Sequence, residues 1–339
     1  MRSFSTYIRS MGPLTLALSF GCTVNTSLAE TEHIVDASFK ETTEVDVQGS
    51  EEGALGIPLP REPESPETIQ QRVQKDGLLK QREIQELNSI ANPFVLTPHR
   101  PNYFLPITYT DNPNGRDFVV HDESDGALDN VEFKFQLSVK FPVAYDVVGR
   151  GSSLWFAYTQ QAFWQAYNSE ISAPFRDTSH EPEAFIVDRL HGDFLGIKPT
   201  YIAYGINHQS NGQSELMSRS WNRLFVNVVF EYEHLAVSIK PWYRIHESED
   251  EDDNPNIERY LGYGEVTAVF IDQDISYDLM LRNNLRSDNK GAIQLGVNFP
   301  LWGKTRGYVQ YFDGYGQSLL DYNNHIRSLG FGIMLTNWL

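Results

Sequence analysis

The chain has 339 residues, a formal net charge of −18 and a single cysteine, with 40% hydrophobic and 13% aromatic residues. The acid excess argues against nucleic acid or anionic lipid as an electrostatic partner. The length suits two soluble domains or one medium-sized barrel, and the lone Cys22 leaves no disulfide to stabilise either.

Residues 1–29 read as a signal peptide. Arg2 and Arg9 precede a short apolar segment around Leu14 to Phe20, and Ser27, Leu28 and Ala29 have the small-x-small form of a cleavage site. Cys22 would leave with that segment. Residues 30–91 are expected to be an acidic leader. Up to Pro66 it is rich in Pro, Ser and Gly and too poor in large apolar residues to offset its ordering entropy. From Pro66 to Ile90 the loose spacing of Ile69, Val73, Ile84, Leu87 and Ile90 predicts a short helix, interrupted by Gly77. After residue 30 no apolar run approaches the length of a membrane-spanning helix, so a membrane would be crossed by strands.

Residues 92–339 carry a different pattern. Between Val131 and Phe141 every odd residue is apolar and every even one polar, as strict strand alternation requires. Further runs are expected near 103–110, 152–163, 182–190, 199–208, 220–234, 236–246, 258–270, 273–283, 291–300, 305–313 and 325–338. That makes an all-β chain of about twelve antiparallel strands, an even number suited to a closed transmembrane barrel with apolar residues towards lipid. With the N-terminus in the periplasm, the connections after odd-numbered strands (111–129, 164–181, 209–219, 247–257, 284–290, 314–324) are expected to face outwards, and they are longer on average than the inward set (such as 191–198, 271–272 and 301–304).

One strand pair carries chemistry. His208 shares strand parity with Ile202, Tyr204 and Ile206, and Ser210 extends that row if the strand reaches it. Asn222 shares parity with Leu224, Val226, Val228 and Phe230 on the next strand. A hydroxyl, an imidazole and an amide are the parts of a serine hydrolase: nucleophile, general base and orienting group. Here all three fall on the apolar, lipid-facing rows, and an oily substrate is a reason for that placement.

The segments His208 to Gly212 (HQSNG) and Ser218 to Arg223 (SRSWNR) resemble the outer-membrane phospholipase A family of Gram-negative bacteria. The resemblance extends through Asn92-Pro93-Phe94, Tyr158-Thr159-Gln160, Ser172 to Arg176, Lys240 to Tyr243, Asp253-Asn254-Pro255 and Gly314-Tyr315-Gly316. It implies a twelve-stranded barrel that hydrolyses acyl esters of phospholipids, requires calcium and acts as a homodimer. It also implies Ser210 as nucleophile, His208 as base and Asn222 as the residue orienting the imidazole. The calcium ligands it implies are the Gln213 carbonyl, the Ser218 hydroxyl and Ser172 from the partner subunit. The connection 209–219 belongs to the outward set, so the site is expected to face the outer leaflet. Gln213 departs from a residue often basic in the family, which matters little for a carbonyl ligand.

The main alternative is a non-enzymatic channel or uptake barrel, but that would aim its polar constellation at the lumen. An exported soluble lipase would carry a GxSxG elbow, and none is present. Among the remaining features, Gln160 falls on an apolar row, where a dimer contact is expected. Glu247 to Asp253 reads as a solvated loop tip without calcium-loop spacing. His234, His246 and His325 lack metal spacing. Arg223, Arg244, Lys240 and Glu231 have inward parity and are expected to fill the barrel.

Overall fold

The computed structural model describes residues 78–91, 95–114, 128–193, 195–214, 217–248, 250–303 and 305–337. These belong to one compact unit, residues 60–339. The expected signal peptide, the leader up to residue 77 and Asn92-Pro93-Phe94 lie outside the described residues.

Helix α1 (Leu79–Ala91) comes first, followed by a two-residue strand β1 (Thr97–Pro98). Twelve longer strands follow: β2 (Asn102–Thr110), β3 (Val131–Tyr145), β4 (Ser153–Trp164), β5 (Phe175–Arg189), β6 (Lys198–Ser210) and β7 (Ser220–Tyr232). Then come β8 (Leu235–Ile245), the short helix α2 (Ile257–Leu261), β9 (Gly264–Asp272), β10 (Ile275–Asn283), β11 (Gly291–Trp302), β12 (Thr305–Tyr315) and β13 (His325–Thr336). From β2 to β13 each strand bonds antiparallel to its neighbour in sequence, and Phe331 of β13 lies opposite Ile107 of β2. The sheet therefore closes on itself and leaves no unpaired edge, as a hydrocarbon environment demands.

The alternation decides which side is which. On β3 the polar residues Glu132, Lys134, Ser138 and Lys140 are buried, whereas Val131, Leu137 and Phe141 are exposed. The same inversion holds on β7 and β13, where Leu224 and Val226, and Leu329, Phe331 and Leu335, face outwards. An apolar exterior around a polar interior is the arrangement of a membrane barrel. The long connections, among them 165–174, 211–219 and 246–263, sit at one end, and turns as short as 233–234 and 273–274 at the other.

The interior is filled with paired charge. Arg176 donates to both oxygens of Glu132 at 2.9 and 3.0 Å and to Asp321 at 2.5 Å, all three side chains being wholly buried. Arg100 grips Glu181 with two bonds of 2.9 Å, and Lys240 reaches Glu183 at 2.6 Å. Arg223 lies 4.0 Å from the centre of the Trp221 ring and bonds Glu181 at 2.9 Å. Arg223, Arg244, Lys240 and Glu231 thus fill the barrel as their parity predicts. Glu231 also caps α1, accepting from the Leu78 and Leu79 amides at 3.1 and 3.2 Å and so satisfying two donors at its start. Lys140 pairs with Glu86, Arg189 pairs with Glu83, and Leu79 packs on Val229 and Ala236. The helix is therefore tied into the short-turn end, over a luminal cavity of about 290 Å³.

Two boundaries differ from expectation. β5 begins at Phe175 rather than near 182, because Arg176, Ser179 and Glu181 point inwards to buried partners although they read as loop. The run expected as a strand from 258 opens instead as α2, whose Ile257 and Leu261 are buried against Trp221 and Trp242, and β9 starts at Gly264.

Candidate active site

β6 and β7 pair in a register that places His208 opposite Asn222 and Ser210 opposite Ser220. Each pair faces outwards among the exposed Ile206, Leu224, Tyr243 and Ile245. Side chains directly opposed across an antiparallel pair lie within reach of each other. The His208 Nδ1 to Asn222 Oδ1 separation is 2.8 Å, a hydrogen bond. Ser210 is the last residue of β6, two places beyond His208 on the same face. Among the described residues no direct hydrogen bond joins Ser210 to His208, and catalytic bonds often tighten only with substrate present.

The strand segment between these residues is fixed from inside the barrel. Gln209 points inwards, donates to Ser179 Oγ at 2.8 Å and accepts from the Trp221 indole at 2.9 Å and from Arg223 at 3.2 Å. With Gln209 and Trp221 anchored, the alternation obliges His208, Ser210 and Asn222 to face outwards. After Ser210 the chain turns at Gly212, whose φ of 64° suits a residue without Cβ. Asn211 staples this loop: its Oδ1 accepts from the Gln213 and Arg219 amides at 3.3 and 2.9 Å, and its Nδ2 donates to the Met217 carbonyl at 2.8 Å. Ser220 N donates to the fully buried Asn254 at 3.0 Å, which ties the start of β7 to the next long loop.

The residues expected to bind calcium occupy two loops. Gln213 and Ser218 lie in the β6–β7 connection, and Ser172 lies exposed in the β4–β5 connection with φ of 60°. No hydrogen bond links Ser172 to the other two among the described residues. Ser218 Oγ donates to Asp253 Oδ2 at 2.5 Å. The segment read as a solvated loop tip is therefore engaged at three points. Asp253 holds Ser218, Asp252 pairs with Arg244 at 2.6 Å, and Glu247 accepts from Asn222 Nδ2 at 2.8 Å.

Another histidine flanks the site. His180 of β5 is the cross-strand partner of Ser210, and its Nδ1 lies 2.6 Å from the Tyr158 hydroxyl. The sequence hides it because residues 175–181 read as loop, whereas they form the start of β5. Glu247 was missed because nothing in an acidic run marks which carboxylate turns back towards a strand.

Comparison with known proteins gives the family. A family model described as Phospholipase A1 matches residues 79–335. The phospholipase A1 of Klebsiella pneumoniae is 37% identical over 73% of this chain and 84% of its own length, and that of Escherichia coli K12 is 37% identical over 73% and 83%. The solved outer membrane phospholipase A of Escherichia coli superposes with a TM-score of 0.69 at 36% identity, covering 73% of this chain and 94% of that one. An outer membrane phospholipase from Salmonella typhi, solved as a dimer with bound calcium, gives a TM-score of 0.68 at 34% identity over the same shares. The chain belongs to the phospholipase A1 family, a phospholipase built as an outer-membrane β-barrel.

Proposed function

We propose that this phospholipase hydrolyses acyl esters of membrane phospholipids through Ser210, His208 and Asn222 on its outer wall, with calcium as cofactor. The observation that carries the reading is the 2.8 Å bond from His208 Nδ1 to Asn222 Oδ1, set in an apolar surface beside Ser210. Ser210 Oγ attacks the ester carbonyl carbon while its proton passes to His208 Nε2. The carbonyl re-forms, the lysophospholipid oxygen leaves with the proton from His208, and the acyl group remains on Ser210. Water, deprotonated by His208, then attacks the acyl carbon and releases the fatty acid and the free serine. Asn222 holds the imidazole in one tautomer but is neutral, so it stabilises the imidazolium less than a carboxylate in contact with the ring would.

Ser218, the Gln213 carbonyl and, from a second copy, Ser172 would hold calcium. Oxygen donors suit this hard cation, and the Asp253 carboxylate beside Ser218 adds negative charge to the set. When bound, the ion supplies positive charge near the developing oxyanion. Two copies would meet along this wall and enclose an acyl chain between them. Gln160, a polar side chain on the outward row opposite His180, supports such a contact. In this reading the long-connection end, and the site with it, faces the outer leaflet.

Refolded protein in phospholipid micelles should release fatty acid only with calcium and only when Ser210 is intact. Hydrolysis that survives chelation would remove calcium from the scheme, and hydrolysis that survives Ser210→Ala would remove the nucleophile.

A further inference from the structure

Asn222 can present either end of its amide to His208, and the two ends have opposite consequences. If Oδ1 faces Nδ1, the ring nitrogen there must carry the proton, because an amide oxygen only accepts. Nε2 is then bare and free to take a proton from Ser210. If the amide is flipped, its NH2 faces Nδ1 and favours the other tautomer, with the proton on Nε2 and no base available. A strand pair by itself does not choose between these states.

The choice is made by a residue outside the triad. Glu247, two positions past the end of β8, accepts a 2.8 Å bond from Asn222 Nδ2. An ionised carboxylate has only acceptors, so the NH2 end must face it and Oδ1 must face His208. β8 delivers it there, since Ile245 is the cross-strand partner of Asn222 and the chain leaves the strand beside that amide. We propose that Glu247 is a positioning residue of the catalytic relay, setting the His208 tautomer by fixing the Asn222 amide. The chain Glu247, Asn222, His208 then has one polarity from end to end, and it ends on a bare Nε2. The inference rests on the reading of His208 as the base, and it adds a carboxylate one residue removed from the ring.

The test separates the two. In protein carrying ¹⁵N-labelled histidine and refolded in micelles, the His208 signal, assigned by its loss in His208→Ala, should report a proton on Nδ1. In Glu247→Ala it should report a mixture of tautomers. The same substitution should lower kcat by about five- to tenfold at unchanged KM, with the calcium concentration for half-activity unmoved. In the Asn222→Ala background, Glu247→Ala should cost nothing further, because Glu247 acts through that amide alone. An unchanged tautomer overturns the proposal. So does a fresh loss of kcat in the Asn222→Ala background, or a defect seen only as weaker calcium activation. If Ser210→Ala retains hydrolysis, the catalytic reading has failed instead, and the tautomer signal still reports on Glu247.

Discussion

His208 and Asn222 are cross-strand partners on β6 and β7, and their side chains meet at 2.8 Å on the apolar wall rather than in the polar interior. The register of one strand pair thus builds the orienting half of the proposed catalytic relay. A one-residue slip of either strand would turn its member of the pair into the lumen.

This geometry ranks the losses. Ser210→Ala and His208→Ala should abolish nearly all fatty-acid release, and a long-chain alkylsulfonyl fluoride should label Ser210 alone. Asn222→Ala should leave measurable activity, because in the proposed relay it orients and does not react. His180 also borders Ser210, but its Nδ1 is engaged by Tyr158, so His180→Ala should cost less than about tenfold in kcat/KM. A larger loss there would make His180 a competing base.

Pairing of copies predicts complementation. Ser172 and Ser210 lie in different hairpins of one chain, and the proposed calcium site takes Ser172 from the opposite copy. Mixing inactive Ser210→Ala with inactive Ser172→Phe creates one site that has Ser210 from the second variant and Ser172 from the first. Activity should return in part, and only with calcium. Crosslinked mixed dimers that stay inactive would exclude a shared site.

Arg176 is the stability test. It bridges Glu132 and Asp321, and none of the three side chains is exposed. Arg176→Ala strands two buried carboxylates and should destabilise the barrel by about 3–5 kcal/mol, read as a lower urea midpoint for unfolding. An unchanged midpoint would mean that water replaces the guanidinium.

The docking of α1 should depend on acid. Burial would raise the Glu86 carboxyl, but the Lys140 and Arg82 cations outweigh it and hold the group down to about 2 from its ordinary 4.5. A carboxyl depressed in this way contributes stability that is present above pH 4.5 and lost as pH falls towards 2. Pepsin should therefore spare α1 at pH 4 and cut it near pH 2. In Glu86→Gln it should already cut at pH 4. Equal cutting of both proteins at pH 4 would show that the helix is held by its other contacts.

The barrel and the outward parity of His208, Ser210 and Asn222 were legible in the sequence because alternation is a local signal. Val131 to Phe141 displays it without exception. It failed where a strand's inward residues find partners far along the chain. Arg176 belongs to β5 because Glu132 and Asp321 are there to receive it, 44 and 145 residues away, and no window of sequence contains both. Glu247 escaped for a related reason. Its neighbours in sequence are acidic and mostly exposed, and only the end of β8 beside Asn222 distinguishes it.

Glu231 stands 152 residues downstream of Leu79, the first residue of the helix whose opening turn it caps. Until β7 is in the wall, the amides of Leu78 and Leu79 have no carboxylate to receive them, and the Val229 and Ala236 surface under Leu79 does not exist. The opening turn of this early segment thus depends on partners that are synthesised much later. Docking of the helix by these contacts therefore waits on a wall that lies far downstream in the chain.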